Sequence, residues 1–330
     1  MKVLMITGSY PPENCGVGDY TYQLVNGLTK KGIKVDVFHT NNSDLNTFLN
    51  LSRLYDVIHI QYPTIGYGFK FTPHYLSLLN NCVMTLHEFS QVNILRRLST
   101  FLFTIRSQKL IFSNNYDKNK AVGYFPWMRN KVRTIPIGTN ILASKQTIPY
   151  AQRKNRIVYF GIIRPDKGIE KFFNLAELVR GEDYSFLIMG GIDKRKLEYA
   201  NHIEKLASRL DIDLILNKSM EYVSKELQNS KYGYLSFPDG ASERRGSLLA
   251  MLINGISVFT TRSVLTPNYF NNAMTYVEDP SKILIELNKE NKHHERISNR
   301  AMKLMQKFDW EYILDSHIEL YKTTAINYAK

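Results

Sequence analysis

Along the first half of the chain, short apolar runs alternate with stretches in which apolar residues return every three or four positions. The runs fit strands buried on both faces and the stretches fit amphipathic helices, so their alternation predicts βαβ units on a parallel sheet. Strands are expected at Lys2–Thr7, Lys34–His39, Asp56–Gln61, Cys82–His87, Lys109–Ser113 and Val132–Ile137. Helices are expected near Asp19–Lys31, Asp44–Tyr55, Pro73–Leu79, Asn93–Arg106 and Asn115–Gly123. Gly32 follows Lys30 and Lys31, as a helix-ending glycine after cations in the last turn should. Over residues 143–155 the pattern lapses into a polar stretch that reads as a linker. A second series then predicts strands at Ile157–Gly161, Phe186–Met189, Leu214–Asn217, Gly233–Phe237 and Ser257–Thr260. Its helices fall near Lys167–Arg180, Lys194–Leu210, Tyr222–Ser230 and Gly246–Ile253. The expectation is two doubly wound domains, residues 1–142 and 156–311, with a cleft between the carboxyl ends of their sheets, where open α/β sheets bind ligands.

A length of 330 residues allows two full cores, and no run approaches the ~20 apolar residues that span a bilayer. The opening Met1–Gly8 reads as a first strand rather than a signal peptide, and Cys15 and Cys82 have no metal-ligand spacing. A reducing, cytoplasmic setting follows, with no disulfide framework and no zinc site. The formal net charge of +13, with the larger excess in the first half, attracts anions in general: nucleic acid, acidic lipid or phosphorylated substrates.

Four places could carry chemistry. The first strand leads through Gly8-Ser-Tyr-Pro-Pro-Glu-Asn-Cys-Gly16-Val-Gly18 into a helix, and two glycines there let backbone amides approach an anion or a sugar. The three-glycine dinucleotide fingerprint is absent, which argues against a dehydrogenase. The strand Val-Met-Thr-Leu-His87 ends in a histidine placed for ligand contact, while His59, inside another strand, carries less weight. In the second half, Gly161-Ile-Ile-Arg164-Pro-Asp-Lys167-Gly168 sets one cation at a strand end and another at the first turn of a helix, which suits a diphosphate. Finally, Asp239-Gly-Ala-Ser-Glu243-Arg244-Arg245-Gly246-Ser247 precedes a wholly apolar helix, with Ser247 suited to cap it and the two arginines beside its free amides.

Taken in order, these segments resemble the retaining glycosyltransferases of the GT-B fold, in particular glycosyltransferase family 4. The likeness also takes in Thr85-Leu-His87-Glu88, Ile135-Pro-Ile-Gly138-Thr-Asn140, Gly190-Gly191 and Pro238 to Gly255. It implies two Rossmann-like domains facing each other across a cleft, the first binding the acceptor and the second the nucleotide sugar. A terminal helix at about 312–330 would cross back to the first domain. The resemblance implies that Gly16 and Gly18 face the donor's phosphates and sugar, that His87 bonds a sugar hydroxyl, that Arg164 and Lys167 bind the diphosphate, and that Gly190 and Gly191 lie near the base. It also implies a nucleotide-sugar co-substrate, no cofactor and no metal. One departure stands out: the two glutamates the family carries eight positions apart fall, aligned on Ala250-Met251, on Ala241 and Leu249. Glu243 or Asp239 would then approach the sugar, with Arg244, Arg245, Gly246 and Ser247 at the phosphates.

The stretch from Ile94 to Arg106 has an apolar stripe with Arg96, Arg97 and Arg106 around it, which fits either a core-facing helix or one lying on an anionic membrane that presents a lipid-linked acceptor. The expected activity is sugar transfer to a glycan or lipid-linked glycan in bacterial surface polysaccharide synthesis. The alternatives are a GT-B epimerase or phosphorylase and a non-catalytic anion-binding or nucleic-acid-binding protein. No nucleic-acid motif is visible, so nucleic acid is not expected as a partner.

Overall fold

A computed structural model describes residues 1–13, 15–39, 50, 53–68, 70–79, 81–90, 92–139, 141–144, 147–192 and 197–329. Most of the helix expected at Asp44–Tyr55, and Asn140, lie outside the described residues. The chain forms two compact units, one of Met1–Gly138 with Phe308–Lys330 and the other of Thr139–Lys307.

The first unit holds strands β1 (Lys2–Thr7), β2 (Lys34–His39), β3 (Val57–Tyr62), β4 (Cys82–Leu86), β5 (Lys109–Phe112) and β6 (Val132–Thr134). They pair in parallel in the order β2-β1-β3-β4-β5-β6. The chain turns from one side of the sheet to the other between β1 and β3, so the topological switch point lies there. The last strand stops at Thr134, short of the expected Ile137; Pro136, which has no amide to give a ladder, follows closely. One face is covered by the helices Gly16–Lys30 and Trp310–Ala329, which bury Leu24, Leu28, Ile313, Leu314 and Tyr321 against Val3, Met5, Val57 and Val83. The last helix therefore packs on the first unit. Leu314 lies so near the first helix that a Cβ on Gly27 would come 2.6 Å from it.

The helix expected over Asn93–Arg106 is two, Ile94–Ser99 and Phe101–Arg106. Asn93 caps the first by accepting from the Arg96 amide at 2.8 Å, and the Thr100 hydroxyl takes up the Arg97 carbonyl at 2.6 Å where the helix breaks.

The second unit holds β7 (Lys154–Phe160), β8 (Ser185–Gly190), β9 (Asp213–Leu216), β10 (Ser230–Leu235), β11 (Ser257–Thr260) and β12 (Thr275–Tyr276). Its parallel order is β12-β11-β10-β7-β8-β9, which puts the switch point between β7 and β10. The two-residue β12 is too short to leave a pattern in the sequence. Residues 147–155, expected as linker, belong to this unit. Tyr150 is buried and donates its hydroxyl to the Lys231 carbonyl, and Arg153 donates to the carbonyls of Asn254 and Gly255 at 3.1 and 2.6 Å. Tyr150 and Arg153 thus tie an otherwise largely exposed stretch to the second unit.

Candidate active site

At the first switch point, loops after β1 and β3 meet backbone to backbone. A Cβ on Gly66 would lie 1.5 Å from the Gly8 carbonyl oxygen, and the Gly66 amide donates to Ser9 Oγ at 2.9 Å. The helix Gly16–Lys30 starts just beyond, with Cys15 at its cap making no side-chain bond. A Cβ on Gly16 would meet nothing within 4 Å, whereas one on Gly18 would sit 3.0 Å from the Ser9 carbonyl. Gly16 thus faces open space, and the smallness of Gly18 is used by the protein's own loop.

His87 follows β4 at its carboxyl end and is buried. Its Nε2 lies 2.8 Å from Gln61 Oε1, its ring meets Tyr20 edge-on at 5.2 Å, and its backbone amide donates to Tyr62. Burial, with His317 nearby, holds its imidazole down at about 3, so the ring is neutral. His59, which the sequence weighed lightly, is fully buried behind it between Thr85 and Tyr321.

At the second switch point, four strand ends converge. The Gly161 carbonyl fills the place of a side chain on Gly190, where a Cβ would come within 1.7 Å. Beyond it, the Ile163 amide donates to the Gly191 carbonyl at 2.8 Å, and the Asn217 amide to Gly190 at 2.9 Å. Gly190 is glycine because a neighbouring loop occupies its space; Gly191 is less confined, with Asn217 Oδ1 3.8 Å from its Cβ position. Arg164 and Lys167 bracket a 3-10 turn, Pro165–Lys167, and the helix begins only at Ile169. Lys167 therefore precedes the helix instead of lying in its first turn. The cause is Gly168, at φ +68°, whose absent Cβ would come 2.1 Å from the Ser236 carbonyl. This contact fastens the loop after β7 to the end of β10.

From β10 the chain turns at Gly240 (φ +77°) and enters the helix Gly246–Ile253 with Arg245 at its cap. Ser247 lies inside the first turn and does not cap, since the chain is still turning at Arg245. Asp239 forms an ion pair with Arg245, whose guanidinium lies 4.7 Å from the centre of the Phe237 ring. Glu243 is buried and accepts a hydrogen bond from the Tyr269 hydroxyl. Burial, then the Glu243 carboxylate, push that tyrosine's ionisation up. Arg244 and Ser247 are half-buried, and Gly246 is exposed at the helix start. Ala241 and Leu249, which stand where the family's glutamates would fall, are both fully buried and face the core.

Among the described residues no group of three His, Cys, Asp or Glu side chains is arranged to hold a metal ion. A surface depression of 590 Å³ lined by Lys118, Val122, Pro126 and Arg129 lies at the start of β6, away from the strand ends that carry these residues.

No family model matches the chain, and no curated protein sequence matches it. Solved structures do. HepE of Anabaena, in complex with UDP and glucose, superposes with a TM-score of 0.69 at 12% identity, covering 98% of this chain and 100% of its own. A glycosyltransferase of Rickettsia africae gives 0.71 at 14% identity over 98% of each chain. WaaG, a glycosyltransferase involved in lipopolysaccharide biosynthesis, gives 0.64 at 12% identity over 97% of this chain and 99% of its own. With two six-stranded parallel sheets, each doubly wound and each bearing its loops at a switch point, the chain has the GT-B fold of paired Rossmann-like domains.

Proposed function

We propose that the protein is a metal-independent, retaining glycosyltransferase that moves a sugar from a nucleoside diphosphate to a glycan or lipid-linked glycan in bacterial surface polysaccharide synthesis. One observation carries the reading: at the switch point of the second sheet, the Arg164–Lys167 turn is fastened to the end of β10, from which the Arg244-Arg245-Gly246 helix start emerges. A diphosphate placed there meets cations and helix amides together, and a helix N-terminus adds roughly half a positive charge. HepE has been crystallised with UDP and with UDP-glucose, and an α-glucosyltransferase of the same fold with UDP, so UDP is the first nucleotide to try.

Expelling the diphosphate breaks the bond between the sugar's anomeric carbon and a phosphate oxygen and leaves charge on that oxygen. Positive groups already in place stabilise the departure without reorganising. The acceptor hydroxyl attacks from the face the phosphate leaves, and its proton passes to the departing phosphate oxygen, so configuration is retained. His87, on the first unit, bonds a sugar hydroxyl, and the open Gly16 faces the donor.

On the acceptor side, the helices Ile94–Ser99 and Phe101–Arg106 expose Ile94, Leu95, Leu98, Phe101 and Ile105, and Trp127 lies edge-on to Phe101 at 5.9 Å. Arg106 and the adjacent Lys131, which donates to the Ile105 carbonyl at 3.1 Å, border this surface. Arg97 is engaged elsewhere, donating to the carbonyls of Phe89, Ser90 and Val92. Such a face suits the surface of an anionic bilayer that presents a lipid-linked acceptor. No helix among the described residues is long and apolar enough to cross a membrane.

The deciding experiment is a thermal-shift series against UDP, GDP, ADP and their sugars, since a ligand of the folded state raises Tm with its affinity. One diphosphate raises Tm in the wild-type protein and not in Arg164→Ala/Lys167→Ala; no shift with any of them sinks the reading. Sedimentation with phosphatidylglycerol vesicles, lost on Leu95→Asp/Trp127→Ala, tests the membrane face separately.

A further inference from the structure

Four polar side chains are buried in a row on one face of the first sheet, beneath the helices Gly16–Lys30 and Trp310–Ala329. His59 and Gln61 are two apart on β3, so both point to this face, and Thr85 and His87 do the same from β4. All four are at most 6% exposed. Groups so buried must match donor to acceptor, and the matching fixes each proton.

Gln61 Nε2 lies 3.4 Å from Met5 Sδ and 3.3 Å from His59 Nε2, so the amide nitrogen faces both and His59 Nε2 accepts. The Thr85 hydroxyl, 2.7 Å away, shares that nitrogen's one lone pair with the Gln61 amide. His59 then carries its proton on Nδ1 and donates it to the Tyr321 hydroxyl oxygen at 2.5 Å. With its nitrogen so committed, Gln61 can offer His87 only its oxygen, and His87 Nε2–H donates to it at 2.8 Å. A neutral imidazole has one proton, so His87 Nδ1 is left as an acceptor, with no protein partner among the described residues.

We propose that Gln61 is a positioning residue, locked in one orientation by His59 and Tyr321, that holds His87 in the Nε2–H tautomer so that it accepts at Nδ1 a hydrogen bond donated by a ligand hydroxyl. This deepens the assignment of His87 to the donor sugar and rests on it. The ring discriminates by direction: a hydroxyl donates to Nδ1, whereas a deoxy sugar lacking that group, or one with an ether oxygen there, cannot.

The test is long-range 15N–1H correlation on the full chain labelled with 15N-histidine, at pH 8, with His87 assigned through His87→Gln. The wild-type spectrum is expected to show His87 protonated at Nε2 and bare at Nδ1. Gln61→Glu, which can still accept, keeps this pattern; Gln61→Met, which cannot, gives a mixture of tautomers. His87 protonated at Nδ1 in the wild type, or a tautomer unchanged in Gln61→Met, overturns the proposal, and the wild-type spectrum decides even if a variant fails to fold. Addition of UDP-glucose is then expected to move the Nδ1 resonance in wild type, and turnover in Gln61→Met to fall about tenfold with KM within twofold. Correct tautomers with no His87 response to UDP-glucose would count against the donor assignment alone.

Discussion

The two sheets reach their switch points with opposite chemistry. In the first unit β3 and the carboxyl end of β4 carry neutral polar side chains, His59, Gln61, Thr85 and His87, buried under helices and bonded to one another. In the second, glycines 168 and 190 let backbone stack on backbone, and the charge sits on loops at Arg164, Lys167, Arg244 and Arg245. A dry network of matched donors and acceptors has direction but little charge, and fits a ligand of hydroxyls. A loop cradle rich in cations has charge but less direction, and fits a ligand of phosphates. The difference teaches that the two units offer different chemistry by dielectric: orientation where water is excluded, attraction where it is not.

Acid should break the comparison most. Burial holds His87 down at about 3 and His74 and His317 at about 4, and lowers His59 too, whereas in the second unit His294, at about 4, is the one histidine so affected among the described residues. Their folded values lie below the free value near 6.5, so the unfolded chain binds more protons and stability present above pH 6.5 is lost as pH falls toward 4. Each histidine that stays neutral costs about 2 kcal/mol at pH 5 relative to neutral pH. Hydrogen exchange at pH 7 and pH 5 should show the first unit loosening before the second; simultaneous loss would erase the contrast.

Charge comes next. Arg164→Ala/Lys167→Ala should lower kcat/KM for the donor by about 10²-fold or more through lost diphosphate binding. His87→Ala should lower kcat about tenfold and leave nucleotide affinity nearly unchanged. Isothermal titration with UDP separates the two, and equal losses of affinity would contradict the division of labour. A smaller effect is structural. Gly168→Ala forces a Cβ onto a positive φ and against the Ser236 carbonyl, and should cost about 2 kcal/mol by urea unfolding. Gly16→Ala, with open space around it, should change stability by no more than about 0.5 kcal/mol, so any loss of activity there reports on ligand contact.

Periodicity and turn residues made much of the fold legible. Apolar runs such as Val3 to Ile6 and Ile157 to Tyr159 are strands in parallel sheets, and Gly32, at φ +81°, follows its helix. The residues of the loop Gly161 to Gly168 were also visible, but not its contacts with Gly190 and Ser236, which set where the helix after it begins. What was not legible depends on distant partners. His59 looked ordinary because Tyr321, its hydrogen-bond partner, is 262 residues away. Gln61 gave no signal for the same reason: its role depends on His87 across the neighbouring strand. Glu243 stood out as a charge in a loop, yet Tyr269, which donates to it, came from a stretch with no periodic pattern. The break at Thr100 turns on one hydroxyl bonding to one carbonyl, finer than any count of apolar positions can resolve.

The helix Trp310–Ala329 closes the core of the first unit with Ile313, Leu314, Leu320 and Tyr321. On the ribosome, the lobe that is synthesised first is thus the lobe completed last. Its sheet must wait, with an oily flank uncovered, while all of Thr139–Lys307 is translated and can fold as a body of its own. A pause in translation between the two would prolong that exposure, and chaperone capture of the nascent chain should be greatest there.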